Sequence, residues 1–181
     1  MPKHLNLEEL KAGFEHIKKS PKNNGEVKMI VLRPRENERK VLNEVHLDIE
    51  NGVEGDCWIE TKKYVSQVTI MNARALELIA PPEDGDTPQS RWPLAGDQLI
   101  IDIDLSESNM SPGTKFKIGN DVELEVTTNP HRGCNKFNDR FGKTTRDFFN
   151  SEEGIKYNLR GIHARILKSG KVKIGDCLIK L

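Results

Sequence analysis

The chain has 181 residues, enough to bury one core, and its 28 basic and 28 acidic residues cancel. That balance excludes an overall field drawing it to nucleic acid or an anionic membrane, and leaves room only for a local basic pocket suited to a phosphate. No apolar run approaches the roughly 20 residues of a membrane span, and three scattered cysteines make neither a disulfide framework nor a CxxC metal motif.

The polar N-terminus is not a secretory signal, so a reducing cytoplasmic location is expected. Leu7, Leu10, Phe14 and Ile17 recur at helical spacing behind Asn6, a good N-cap with Glu9 three residues on. They predict an amphipathic helix over Leu7 to Lys19, stopped by Ser20-Pro21. Strands follow at Val27 to Leu32, ended by Arg33-Pro34, at Val45 to Ile49, which alternates strictly, and at Val65 to Ile70. Asn72 caps a short predicted helix, Ala73 to Ala80, halted by Pro81-Pro82.

Residues 81–93 are rich in proline and acids and read as a long surface loop. Trp92 in it either covers the core or caps a pocket. The next strand begins at Leu99-Ile100-Ile101. Phe116 to Ile118 and Val122 to Val126 flank Gly119-Asn120 as a hairpin. Thr144 to Asn150 reads as a short helix. The tail repeats the hairpin device: Ile162 to Leu167, a turn at Ser169-Gly170, Val172 to Ile174, a turn at Gly175-Asp176, then Cys177 to Ile179. Many short strands joined by tight turns predict a mainly β fold, a closed or nearly closed β-barrel with a few peripheral helices. No strand–helix alternation points to a parallel sheet.

The densest chemistry lies in Asn129-Pro130-His131-Arg132-Gly133-Cys134-Asn135-Lys136-Phe137, followed by Arg140-Phe141-Gly142. A thiol becomes a nucleophile or metal ligand when positive charge favours its thiolate, and His131, Arg132, Lys136 and Arg140 are the nearby sources. The plainer reading is a basic loop with an incidental cysteine. Arg160, before Gly161, either forks to a phosphate or pairs with an acid. Asp56 and Asp97 follow glycines and suit turn or cap roles. Cys177 suits the core; Cys57 is either an exposed cysteine or a resolving thiol for Cys134. His46 and His163 alternate within strands and suggest no chemistry.

Taken in order, these segments resemble the MOSC (molybdenum-cofactor sulfurase C-terminal) domain family, from about Val27 to Leu181. Gly52-Val53-Glu54-Gly55-Asp56 resembles its Gly-x-x-Gly-Asp turn, and Gln67-Val68-Thr69-Ile70 its Gln-Val-Ser-Leu strand. Ala95-Gly96-Asp97-Gln98-Leu99 sits where the family has Gly-Glu-Asn-Leu. Pro112-Gly113-Thr114 with Lys117-Ile118-Gly119 resembles its hairpin, and Pro130 to Cys134 with Phe137 and Arg140-Phe141-Gly142 its cysteine segment. Arg160 to Leu167 resembles its Gly-x-Tyr-Ala-Arg-Val-Leu strand, and Gly175-Asp176 its closing turn. On this reading residues 1–25 are an N-terminal helical extension and 26–181 the MOSC β-barrel.

The resemblance implies a barrel that holds a molybdenum–pterin cofactor, molybdopterin, or handles sulfur destined for a metal centre. It makes Cys134 the persulfide carrier or the molybdenum ligand. It makes His131, Arg132, Lys136, Arg140, Arg160 and Gln98 the candidate cofactor-binding residues. The partners it implies are molybdopterin or a sulfur donor or acceptor protein, with no nucleic acid and no membrane. Two alternatives stand beside this: a non-catalytic binding module, and a molybdenum-dependent reductase of N-hydroxylated compounds, an activity of some relatives. The chain departs from the family at Gln98, in place of an asparagine, and at Cys57-Trp58, where histidine often follows Gly-Asp. It also shows no counterpart of the N-terminal barrel domain of larger members.

Overall fold

Leu10, Phe14 and Ile17 are all buried along one face of helix α1 (Leu7–Ile17) in the computed structural model, which describes residues 4–181. Asn6 Oδ1 accepts from Glu9 N, and the Glu9 carboxylate accepts in turn from Asn6 N at 2.8 Å, a complete capping box. The helix stops two residues short of the expected Lys19, where the Ser20 hydroxyl donates to Ile17 O at 2.7 Å.

Four strands follow: β1 (Gly25–Leu32), β2 (Lys40–Leu42), β3 (Glu44–Asp48) and β4 (Gly52–Val53). Then come β5 (Val68–Asn72), α2 (Ala73–Ile79), β6 (Leu99–Asp102), β7 (Lys115–Ile118) and β8 (Val122–Val126). The last third holds α3 (Asn135–Phe141), α4 (Lys143–Phe149), α5 (Glu152–Lys156), β9 (Ile162–Lys168), β10 (Gly170–Lys173) and β11 (Cys177–Lys180). Seven strands close a mixed barrel in the order β1-β11-β7-β8-β9-β5-β6, with β6 returning to β1. Closure leaves those strands no exposed edge. β2 extends the sheet beyond β1, and β10-β3-β4 form a second small sheet.

Two apolar clusters explain which strands read clearly from sequence. One fills the barrel, with Val27, Ile30, Ile70, Leu99, Ile101, Phe116, Leu124 and Ile166 among its members. The other covers the outside of β1, β5 and β6, where Met29, Val31, Met71 and Ile100 meet Leu10, Phe14, Leu76 and Phe148 from the helices. Strands buried on both faces lose the apolar–polar alternation and become continuous apolar runs. β8 and β9, with one face near water, alternate cleanly.

Two expectations change. β5 and β6 run parallel, Ile70 opposite Leu99, with α2 in the crossover between them. That helix is so short, and the loop after it so long, that the strand–helix–strand unit leaves little periodic trace. The tail strands also do not form successive hairpins. β10 pairs with β3, Val172 opposite Val45, and β11 pairs with β7 and β1. Their turns carry the chain between sheets instead of folding it back. Cys177 consequently faces outward, half-buried, while Leu178 takes the core position. The hairpin at Gly119-Asn120 is present, with Ile118 opposite Val122. Residues 81–90 are exposed, whereas Trp92 closes over the outer cluster as a core residue. Among the described residues no helix is long and apolar enough to cross a membrane.

Asn72 ties three parts of this layer together. Its Oδ1 accepts from Ala75 N at the start of α2, while its Nδ2 donates to Ser20 Oγ at 2.9 Å and to Ile103 O. Asn72→Ala removes a cap worth about 1 kcal/mol and strands a buried acceptor at a further ~1–3 kcal/mol. A loss of about 2–4 kcal/mol in urea unfolding is expected; a change under 1 kcal/mol would mean the three elements are held independently.

Candidate functional site

Three arginines converge on the short turn from Trp92 to Asp97. Gly96 ends it at φ +84°, a left-handed conformation that glycine adopts without strain. The turn's carbonyls then point outward as acceptors. Arg140 Nη1 donates to Leu94 O at 2.7 Å, Arg160 Nη2 to Ala95 O at 3.0 Å, and Arg33 Nη1 to Gly96 O at 3.1 Å. Arg160 also reaches Asp97 Oδ2 at 2.6 Å, and its guanidinium lies 4.9 Å from the Phe137 ring centre. Asp97 is therefore half of a buried ion pair, not a turn cap.

Arg33 makes a second buried pair. Its Nε and Nη2 both donate to Asp56 at 2.9 Å, and its backbone N–H adds a third bond. Asp56 accepts from Trp58 N as well, so it caps the turn Cys57–Glu60 as expected while neutralising Arg33. The two pairs keep two guanidiniums in place at the cost of desolvation that their partners offset.

Beside them opens a cavity of about 340 Å³, lined by Arg33, Arg35, Arg39, Cys57, Lys136 and His163 among others. Its size suits a small ligand. Arg35 pairs with Glu38, and Lys136 with Glu36. Arg39 has no carboxylate partner among the described residues; it donates only to the Glu38 carbonyl, and its buried Nε has no hydrogen-bond partner. Partial burial, with the positive charges of Arg140 and Arg33, draws its pKa below the ordinary arginine value. An arginine held among like charges with an idle donor is a ready anion ligand.

At the cavity wall His131 packs against His163, with ring centres 4.4 Å apart and planes tilted by 34°. His131 is 13% exposed, and its Nδ1 lies 3.5 Å from Asp97 Oδ1; neither atom has a hydrogen-bond partner. Burial, then the charge of Arg160, holds the His131 imidazole well below the usual histidine range, so it is neutral at pH 7.

The residues singled out from the sequence scatter around this centre. Arg160 and His131 lie in the buried network, and Lys136 lines the cavity. Arg140 holds the Leu94 carbonyl, and exposed Arg132 bonds the His131 carbonyl. Gln98 is fully buried: Oε1 accepts from Thr69 N and Oγ1, and Nε2 donates to Gln67 O. Its amide is committed to the strands. Cys134 is exposed at the start of α3, two residues before Lys136. No hydrogen bond links its thiol to the four cations of its segment. The sequence reading passes over Arg33, Arg39 and the place of His163. The closely spaced Arg33, Arg35, Arg39 and Lys40 between two strands are the one available signal for the first two. Among the described residues, no three or more His, Cys, Asp or Glu side chains group as a metal site.

A family profile described as MOSC domain matches residues 65–178. No curated protein matches the chain by sequence. Among solved structures, the YuaD protein of Bacillus subtilis is 13% identical, with a TM-score of 0.60 over 86% of this chain and 94% of that one. YiiM of Escherichia coli is 19% identical, with a TM-score of 0.58 over 86% of this chain and 69% of that one. YiiM of Geobacillus stearothermophilus is 13% identical, with a TM-score of 0.52 over 87% and 75%. At these identities the likeness is one of fold.

The neutral histidines give stability a pH dependence of known sign. An unfolded chain protonates histidine near pH 6.5. Folded His131, its pKa depressed chiefly by burial, stays neutral to well below that, and folded His163 is shifted the same way, again chiefly by burial. Stability is thus full above about pH 6.5 and falls below it, by up to about 1.4 kcal/mol per pH unit for each histidine. Melting temperatures between pH 7.5 and 5.5 should fall less steeply in His131→Gln than in the native protein. Equal slopes would place the buried proton deficit elsewhere.

Proposed function

This chain belongs to the MOSC domain family, and from that premise we propose that it binds a phosphate-bearing ligand of the molybdopterin type in the arginine-lined cavity and carries sulfur on Cys134. The observation that carries the reading is the cationic cavity, where Arg39 lacks a carboxylate partner among the described residues, beside a segment whose cysteine is exposed.

The donor set fits the anionic end of such a cofactor. Arg39, with Lys136 of the same lining, would hold a phosphate; Arg33, pinned to Asp56, adds charge without moving. For the metal, the chain offers Cys134, a soft thiolate donor suited to molybdenum. When bound, the cofactor supplies two-electron redox chemistry at molybdenum.

The sulfur step needs no oxidant. The Cys134 thiolate attacks the terminal sulfur of a donor persulfide; the donor's S–S bond breaks, the donor thiolate leaves, and Cys134 holds the sulfane sulfur in a new S–S bond. An exposed thiol suits that exchange, because both donor and acceptor must reach the sulfur.

A second reading, a binding module without sulfur chemistry, is favoured by the lack of any hydrogen bond between Cys134 and a cation. The two separate cleanly. After treatment with a persulfide donor, intact mass should gain one sulfur atom, and Cys134→Ala should lose that gain. Arg39→Ala should weaken binding of inorganic phosphate about tenfold to a hundredfold. A mass gain unchanged in Cys134→Ala overturns the carrier role, and phosphate binding unchanged in Arg39→Ala overturns the site.

A further inference from the structure

His163 stands where two cavities meet. It lines the arginine-rich cavity on one side and, on the other, a second of about 110 Å³ bordered by Thr127, Asn129, Arg132 and Asn158. It projects from β9, where Ile162 and Ala164 on either side face the barrel core, and its cross-strand neighbour is Thr69 of β5. This half-buried ring separates the ligand cavity from the space behind it.

Its hydrogen bonding assigns the tautomer. Nδ1 lies 3.1 Å from the Asn129 backbone oxygen, which can only accept, and 3.1 Å from the Asn129 side-chain amide, which can turn over to present its oxygen instead of its nitrogen. The ring proton is therefore on Nδ1, which leaves a lone pair on Nε2. His131 packs beside it, with ring centres 4.4 Å apart and planes tilted by 34°.

We propose that His163 is the proton acceptor of the arginine-lined cavity, taking up a proton at Nε2 when an oxyanion enters. The inference rests on the reading of that cavity as an anion site.

The charges around His163 make the coupling physical. Arg33 faces it from the end of β1, Arg160 from the residues before β9, and Asp97 from the turn before β6. His131, neutral, faces it from the loop after β8, and β5 contributes only uncharged Thr69. Cys57 and Lys136 share the cavity. Burial and the two arginines disfavour the imidazolium, against the Asn129 carbonyl and Asp97, which support it. An incoming oxyanion offsets the arginine field, and a proton on Nε2 then adds a donor to a ring that lines the cavity. No bond in the anion changes; one solvent proton joins the ring.

Sulfate is the probe of choice because it does not titrate near neutrality, so every proton exchanged belongs to the protein. Calorimetry at pH 7 in buffers of different ionisation enthalpy should find uptake approaching about one proton per bound sulfate, with affinity rising up to about tenfold per unit fall in pH. His163→Gln should still bind sulfate but take up no proton and show a flat pH profile, whereas His46→Gln, exposed on β3 and outside the cavity, should retain uptake. In the unmodified protein, ¹⁵N spectra should show Nε2 passing from unprotonated to protonated as sulfate saturates, a readout that needs no variant. Sulfate bound without proton uptake, uptake surviving in His163→Gln, or an Nε2 signal unmoved at saturation overturns the role of His163. Absence of sulfate binding overturns the anion cavity itself, and this inference with it.

Discussion

The Leu94–Asp97 turn is the feature on which the site depends. Three consecutive carbonyls hold three guanidiniums from different parts of the chain, Arg140 on α3, Arg160 before β9 and Arg33 after β1, and the Asp97 carboxylate adds a second contact to Arg160. Carbonyls orient arginines without cancelling their charge, as a carboxylate would. The turn thus fixes positions; Arg33 and Arg160 are also matched by Asp56 and Asp97, while Arg140 has no carboxylate partner among the described residues. Gly96 makes it possible, and a Cβ there would lie 3.3 Å from an Arg39 terminal nitrogen. The backbone is bare where the guanidiniums crowd closest.

That turn sits where it does because of the two-sided wall. β1, β5 and β6 bury apolar side chains inward into the barrel and outward under the helices. Such a wall cannot slide by one residue, since either face would then expose apolar surface or bury polar surface. The segments entering and leaving it, Arg33 at the end of β1 and Asp97-Gln98 ahead of β6, inherit that rigidity. Gln98 shows the consequence. Its amide is spent joining β6 to β5, so it anchors the turn rather than reaching a ligand.

The same physics sets what the sequence reveals. β3, β8 and β9 alternate and are read correctly, and Asn6 and Asn72 announce their helices through cap chemistry. The barrel follows from the number of short strands and the ordered family segments. The parallel β5–β6 pair and the long-range β3–β10 pairing leave no local trace, because a strand's partner is chosen by which apolar face remains to be covered. At the site, Cys134, His131 and Arg160 stand out by residue type. Arg33 and Arg39 do not, since a cation in a loop carries no periodicity and its role depends on which acid it fails to meet. His163 reads as one more outward position of an alternating strand; its setting comes from the loop that stacks His131 against it.

Counting charge around the cavity narrows what an occupant gains. Arg33 is matched by Asp56, Arg160 by Asp97, Arg35 by Glu38, and Lys136 by Glu36. Those pairings leave Arg39 as the cation with no acid of its own among these. The exposed Lys136–Glu36 pair is weak and easily exchanged for a ligand, while the buried Arg33–Asp56 pair is not, because breaking it would strand a desolvated charge. An anion therefore gains one full charge from Arg39, a share of Lys136, and the oriented field of arginines it cannot displace. A second charge on the ligand calls for a second compensating cation, and among the described residues lining the cavity the neutral group that can supply one by taking up a proton is the imidazole of His163.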